Sequence, residues 1–282
     1  MPELPEVETV RRALLPLMLG RTLAEITVRR HDLRQPVPAD FAARLRGRRV
    51  IDLERRSKYL IWRLDDGGAA ILHLGMSGRL KAFRGKVPPA ETHDHVGFAF
   101  RGLPPLTVRF CDPRRFGLAT WAEGAALARH PLLDGLGREP LEAGFDGAAL
   151  WRLLQPRRGP IKAALLDQRM VAGIGNIYAC ESLFRAGIAP RRRCASIGRA
   201  GAERLALAIR AVLEDAIAAG GSSLRDHRAP EGGLGYFQHR FAVYDRAGQA
   251  CPGCTCDPAR AGGIRRIVQA GRSTFYCPRR QR

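Results

Sequence analysis

A change of hydrophobic period near the middle of the chain most constrains its fold. Between residues 21 and 120 the apolar residues come in short runs rich in β-branched and aromatic side chains. These are Leu23–Val28, Arg48–Leu53, Tyr59–Leu64, Ala69–Leu74, Gly97–Phe100 and Leu106–Phe110. Turn sequences such as Asp65-Asp66-Gly67-Gly68 and Gly102-Leu103-Pro104-Pro105 separate them. Strands at this spacing predict an antiparallel sandwich or barrel, with one short helix near Ala39–Leu45. Residues 124–150 read as a linker leading into helices. From there the period becomes helical, over Ala148–Leu154, Ile161–Asp167, Ile177–Ala186 and Ala200–Ala219. Strands followed by helices predict an α+β chain of several domains. Its 282 residues suffice for two or three cores.

The chain opens MPELPEVE. Pro5 suits the start of a helix, Glu6 and Glu8 suit its positive end, and Val7, Val10 and Leu14 give it an apolar stripe. The same residues allow chemistry. With Met1 removed, Pro2 carries a secondary α-amine, and α-amines titrate at about 7.7–8.0. Such an amine is partly uncharged near neutrality and can attack a carbonyl-level carbon to form an iminium. Glu3 is placed to move the protons.

Lysine and arginine number 47 against 27 acidic residues, giving a formal net charge of +20 spread along the chain. A folded, strongly basic protein of this kind most often meets a polyanion, nucleic acid first. No secretory segment opens the sequence and no apolar run approaches a membrane span. A soluble cytoplasmic protein is therefore expected, with no membrane partner.

Several loops carry more than turn residues. Lys58 enters an apolar strand from Arg55-Arg56-Ser57. It is either a solvated strand end or a lysine held at a phosphate or a reacting sugar. Met76 is framed by glycines in His73-Leu74-Gly75-Met76-Ser77-Gly78. Asp112-Pro113-Arg114-Arg115-Phe116-Gly117 joins arginine, which suits phosphate or a base edge, to a phenylalanine that can wedge into a base stack. His93-Asp94-His95 lacks a third ligand at useful spacing and is not assigned a metal. In the helical half, Gly173-Ile174-Gly175-Asn176 lets the backbone approach a phosphate, with Asn176 as N-cap and Arg158 and Lys162 nearby. Residues 220–238 are Gly- and Ser-rich, a linker or a lid over substrate.

Four of the seven cysteines cluster at the end. Cys251-Pro252-Gly253-Cys254 is a knuckle of the kind that binds zinc. Ile264–Gln269 and Ser273–Cys277 alternate like two strands around an Ala270-Gly271-Arg272 turn. In Cys277-Pro278-Arg279-Arg280, arginine stands where a second knuckle needs cysteine.

These motifs resemble, end to end, those of the bacterial formamidopyrimidine-DNA glycosylases, which repair oxidised purines. They are PELPEVETV at 2–10, RRSKYL at 55–60, HLGMSG at 73–78, HDHV at 93–96, DPRRFG at 112–117, GIGNIYA at 173–179 and RSTFYC at 272–277. The resemblance implies an N-terminal β-sandwich with an N-terminal helix (1–125), a helix–two-turn–helix domain (126–238) and a zinc-finger β-hairpin (239–282). Duplex DNA bearing oxidised bases or abasic sites would bind between domains, to a monomer. By resemblance Pro2 is the Schiff-base nucleophile, Glu3 the acid/base, Lys58 the β-elimination donor and a phosphate contact, and Arg272 the δ-elimination donor. His93, Arg114, Arg158, Asn176 and Lys162 are expected to contact DNA. Met76, Arg114 and Phe116 would fill the gap left by the flipped base, and the 220–238 loop would close over the lesion. One structural zinc is implied on Cys251, Cys254 and Cys277. The chain departs from the family at Arg280, and 22 residues separate Cys254 from Cys277, a longer segment than the family pattern. Three arrangements are open: Cys256 as fourth thiolate, three thiolates plus water, or a hairpin without zinc. Two other functions are also open, a relative preferring oxidised pyrimidines and a non-catalytic binder of damaged DNA. Intact Pro2, Glu3 and Lys58 weigh against the binder.

Overall fold

The structure, a computed structural model, describes residues 1–222, 230, 232–233, 235–255 and 257–282. It divides into two compact units, Met1–Gly135 with Ala219–Tyr236, and Leu136–Ala218 with Phe237–Arg282.

The first unit is built on helix α1 (Leu4–Met18) and eight strands. These are β1 (Leu23–Val28), β2 (Val50–Arg56), β3 (Tyr59–Leu64), β4 (Ala69–His73), β5 (Arg79–Arg84), β6 (Asp94–Phe100), β7 (Leu106–Cys111) and β8 (Leu118–Ala122), with short helix α2 (Phe41–Leu45) after β1 and α3 (Gly124–Leu127) after β8. They form two antiparallel four-stranded sheets, ordered β1-β6-β7-β5 and β2-β3-β4-β8. One core joins both sheets to the helices, with Trp62, Leu72, Phe98, Val108 and Phe110 meeting Val10, Leu14 and Phe41. This is the sandwich that the runs of β-formers predict. The sequence missed β5 and β8, each for its own reason. Arg79–Arg84 buries only Leu80 fully, and the five residues of β8 are too few to show alternation.

The second unit holds α4 (Gly147–Leu154), α5 (Ile161–Leu166), α6 (Asn176–Ala186) and α7 (Arg199–Ala218), then the short α8 (Pro258–Ala261) and the hairpin β9 (Arg265–Gln269) and β10 (Arg272–Tyr276). Helix α4 starts where Asp146 accepts from the Ala149 N–H at 2.7 Å. The hairpin turn is shorter than predicted. Arg272 pairs with Gln269, leaving Ala270 (φ +48°) and Gly271 (φ +70°) as a two-residue turn. Two successive positive φ values match the twist of the strands, so Arg272 is the first residue of β10 rather than part of the turn. Among the described residues no helix is long and apolar enough to cross a membrane.

Candidate active site and nucleic-acid-binding loops

In the first unit the chemistry-bearing residues gather around the start of α1. Glu3 takes the N-cap position, and the Glu6 carboxylate accepts from its backbone N–H at 2.9 Å. The other Glu6 oxygen accepts from the Ser222 N–H at 2.8 Å. Glu6 therefore fixes the first turn of the helix to the segment that enters the 220–238 loop. That segment is closed at its base by the Tyr236 N–H to the Ala219 carbonyl, 3.0 Å. Residues 223–229, 231 and 234 of the expected loop lie outside the described residues. Pro2, Glu3 and Glu6 are all buried.

Helix α1 packs on β2 and β3, and Ser57-Lys58 forms the turn between those strands, with Ser57 at φ +56°. Lys58 is 6% exposed, so it is no solvated strand end. Glu8 holds the turn in place. Its carboxylate meets Arg11 and Arg12 at 2.8 Å and Arg55 at 3.3 Å, and Arg55 donates onward to the Ser57 carbonyl at 3.0 Å. Burial raises the Glu8 pKa, but hydrogen bonds from Arg11 and Arg12 and the charges of Arg11 and Arg55 outweigh it, and the net shift is downward. His73, at the end of β4, is buried beside Tyr59, and its Nδ1 accepts from the Gly75 N–H at 2.9 Å. Burial, then the charges of Arg34 and Lys58, push it down to about 3. It is a neutral acceptor that shapes the next loop.

The 73–78 and 112–117 loops are locked together by Asp112, which is completely buried. Its carboxylate accepts from the Ser77 hydroxyl at 2.6 Å and the Gly117 N–H at 2.7 Å. Ser77 Oγ accepts in turn from the Arg114 N–H at 3.2 Å, and His95 Nε2 lies 2.8 Å from the Asp112 carbonyl. The backbones press so closely that a Cβ on Gly75 would lie 2.3 Å from the Phe116 carbonyl carbon. On this base Met76 (43% exposed) and Phe116 (44% exposed) stand in solvent, and the exposed Arg114 guanidinium lies 4.8 Å from the Phe116 ring centroid. Within His93-Asp94-His95, only His93 is exposed. Asp94 is buried between Lys81 at 3.0 Å and Arg109 at 3.3 Å, a structural pairing.

In the second unit Lys162 is 0% exposed. Its ammonium donates to Asn176 Oδ1 at 2.6 Å, Thr274 Oγ1 at 2.7 Å and the Ser273 carbonyl at 3.3 Å. Asn176 Nδ2 donates to the same Ser273 carbonyl at 2.8 Å. Helix α6 starts at Asn176, with Gly175 at the N-cap. The expected cap therefore shifts by one residue, because the Asn176 side chain is drawn toward the lysine and strand β10. Lys162 ties α5, α6 and β10 together from inside. Arg158 and Arg272 are exposed. Glu181, buried on α6, accepts three backbone N–H bonds from Ala242, Val243 and Tyr244 at 2.8 to 3.0 Å.

Cys251, Cys254 and Cys277 bring their sulfurs within 4.8 Å of one another, the one such metal-ligating group among the described residues. The Cys251–Cys254 and Cys254–Cys277 separations are 3.1 and 3.6 Å. Tetrahedral zinc with sulfurs at about 2.3 Å sets them about 3.8 Å apart, so three soft donors fit three corners of such a site. Arg280 is a donor-only group and cannot fill the fourth. Cys256 lies outside the described residues.

The motifs read from sequence single out Pro2, Glu3, Lys58, Met76 and Phe116 but not the residues that hold these segments in place: Glu8 and Arg55, Ser77 and Asp112, and Glu181. Glu8 had a local signal in its spacing to Arg11 and Arg12. The Ser77–Asp112 pair, 35 residues apart, had none.

The pattern of the Formamidopyrimidine-DNA glycosylase N-terminal domain matches residues 1–119, and that of the Formamidopyrimidine-DNA glycosylase H2TH domain matches residues 136–228. The chain is 59% identical over 284 residues to the formamidopyrimidine-DNA glycosylase of Rhodospirillum rubrum and 55% identical over 292 residues to that of Rhodospirillum centenum, each match spanning 100% of both chains. Among solved structures it is similar to the MutM (Fpg) protein of Thermus thermophilus, with a TM-score of 0.86, 41% identity and coverage of 99% of this chain and 98% of that one. It is also similar to the Lactococcus lactis Fpg in complex with DNA containing an abasic site, with a TM-score of 0.88, 31% identity and 99% of each chain covered. With both domain patterns matched in order and relatives identical over more than half of their full length, the chain belongs to the formamidopyrimidine-DNA glycosylase family.

Proposed function

We propose that this chain is a bifunctional base-excision repair enzyme that removes oxidised purines from duplex DNA and then cleaves the strand at the resulting abasic site. The observation that carries this reading is the buried start of α1, where Pro2, Glu3 and Glu6 meet in the same unit as the buried Lys58. A base in the stack hides its sugar carbon, so the nucleotide must first turn out of the duplex at a cost of a few kcal/mol. Met76, Arg114 and Phe116 fill the vacated space, and His93, Arg158 and Asn176 hold phosphates.

Once Met1 is removed, the Pro2 nitrogen attacks C1′ and the glycosidic bond breaks as the damaged base takes a proton and leaves. Glu3 moves protons at the sugar. The Pro2 nitrogen gives up its proton, the C1′–O4′ bond opens as O4′ takes one, and the iminium so formed between Pro2 and C1′ draws electrons from C2′, whose proton is lost. The C2′–H electron pair forms the new double bond and expels the 3′ phosphate in β-elimination. Lys58 serves that step, and Arg272 serves the following δ-elimination that releases the 5′ phosphate. Glu6, spent on the N–H groups of Glu3 and Ser222, positions the amine. The working parts assigned are 1–125 for catalysis, 126–238 for DNA grip and lesion capping, and 239–282 for presenting Arg272. Cys251, Cys254 and Cys277 would hold zinc, which would supply a structural cross-link between the knuckle and the end of β10.

Borohydride trapping on an 8-oxoguanine duplex tests the mechanism. A covalent protein–DNA adduct is expected, and it should vanish in Pro2→Gly or when Met1 is retained. No adduct from the mature chain would overturn the Schiff-base reading. Preference for an oxidised pyrimidine in the same assay would favour the pyrimidine-acting relative.

A further inference from the structure

Arg280, where the family pattern calls for a fourth cysteine, is not an idle replacement. Its guanidinium donates to the Gly253 carbonyl at 2.7 Å, inside the Cys251–Cys254 knuckle, and lies 5.1 Å from the Phe184 ring centroid on α6. The knuckle accommodates it closely, since a Cβ on Gly253 would fall 2.4 Å from Arg280 Nη1. The arginine thus links the same two segments that a metal would link, the knuckle and the residues after β10.

The rest of the finger is anchored without metal as well. Cys251, Ile264, Phe275 and Cys277 share a buried cluster with Cys180 and Phe184 of α6, and the Tyr244 and Phe275 rings pack edge to face at 5.2 Å. The buried Gln281 accepts from the Cys277 N–H at 2.8 Å and donates to the Ile188 carbonyl at 2.9 Å. The Arg282 N–H reaches the Gly187 carbonyl at 3.1 Å. Glu181 gathers the N–H groups of the chain entering the finger.

We propose that Arg280 closes this finger mechanically, so that the hairpin carrying Arg272 keeps its fold without a bound metal. Metal-dependent fingers unfold on chelation because metal binding supplies their folding energy. Here a guanidinium clamp and a shared core take that place. The proposal stands apart from the catalytic reading, because it is tested by structure rather than by turnover.

The test is amide hydrogen exchange of residues 265–276 in the full chain, with and without a zinc chelator, beside zinc content per chain. In the wild type, exchange should change by less than about twofold on chelation, because the clamp and the shared core, rather than a metal, set the free energy of opening. Arg280→Cys exchanges the clamp for a thiolate and should make the hairpin metal-dependent, with exchange about tenfold faster after chelation and restored by added zinc. In chelator, Arg280→Ala should exchange about tenfold faster than the wild type. Arg280→Lys keeps the charge, loses the planar fork and should fall between. Unchanged exchange in α4 and α7, in the same unit as the hairpin, shows that each variant has folded. Three results would overturn the proposal: loss of wild-type protection on chelation, an Arg280→Ala hairpin as protected as the wild type in chelator, or loss of both zinc and protection in Cys256→Ser.

Discussion

Arg55 Nε lies 3.3 Å from Glu8 Oε2, a pairing that joins the second turn of α1 to the last residues of β2. The same guanidinium reaches the Ser57 carbonyl at 3.0 Å. One arginine therefore sets the distance between the helix that begins at the proposed nucleophile and the turn that carries Lys58. Arg55→Ala should slow β-elimination about 10- to 100-fold, the usual penalty for misplacing a catalytic group by about an ångström. Base release by Pro2 should change less. Single-turnover assays that score base release and strand cleavage separately would show the split. Equal loss in both steps would mean that Arg55 supports the whole domain rather than the Lys58 turn.

The Glu8 cluster also predicts a pH dependence of stability. Its folded pKa is depressed, so its stabilisation is fully present above the ordinary glutamate range and is lost as pH falls through the lowered folded value. At pH 7 the wild type should exceed Glu8→Gln by roughly 2 kcal/mol, as expected when charge-assisted hydrogen bonds in a half-buried cluster are weakened. The gap should narrow steadily below about pH 4. Thermal melts of the two proteins across pH 3 to 7 measure it. A gap independent of pH would exclude ionised Glu8 as its source.

Asp112 supports the proposed wedge from below. Asp112→Ala strands the Ser77 hydroxyl and the Gly117 N–H in a buried place, which should cost about 2–4 kcal/mol. Met76 and Phe116 would keep their chemistry and lose their fixed base. Nucleotide extrusion, followed by 2-aminopurine fluorescence beside the lesion, should weaken more than binding to undamaged duplex. Asp112→Asn retains one acceptor and should lie between. Equal weakening on damaged and undamaged DNA would remove the loops from the extrusion step.

The parts legible in sequence are those in which one local pattern carries the information. Val7, Val10 and Leu14 show α1 through their spacing, and the exposed pair Met76 and Phe116 stands out as apolar residues in glycine-framed loops. Strand β5 is nearly silent because it buries only Leu80 fully, and β8 because its burial does not alternate. Partners far apart in the chain are silent altogether, as with Ser77 and Asp112, or Glu181 and the 242–244 backbone. Arg280 was legible only as a missing ligand, since nothing local says that its guanidinium meets Gly253 and Phe184. Lys162 shows how tertiary packing can redirect a residue that sequence places at a phosphate. A basic residue near a glycine-rich helix start suggests phosphate, while tertiary packing puts its ammonium on Asn176, Ser273 and Thr274.

Lys162 and Arg114 can therefore be separated by salt. A side chain that neutralises one phosphate releases its counterions, and its loss flattens the slope of log affinity against log salt by about one. Arg114→Ala, removing an exposed guanidinium, should do this. Lys162→Met should leave the slope unchanged, because the ammonium is enclosed within its own unit. It should instead cost about 3 kcal/mol of stability, since the Asn176 and Thr274 oxygens lose a charged donor in a buried place. Its effect on lesion binding should come through Asn176 and β10, alike at every salt concentration. Fluorescence anisotropy on a lesion duplex between about 50 and 200 mM salt, beside denaturant melts, decides between them. A flattened slope in Lys162→Met with normal stability would place that lysine on a phosphate and return it to the DNA-contact set.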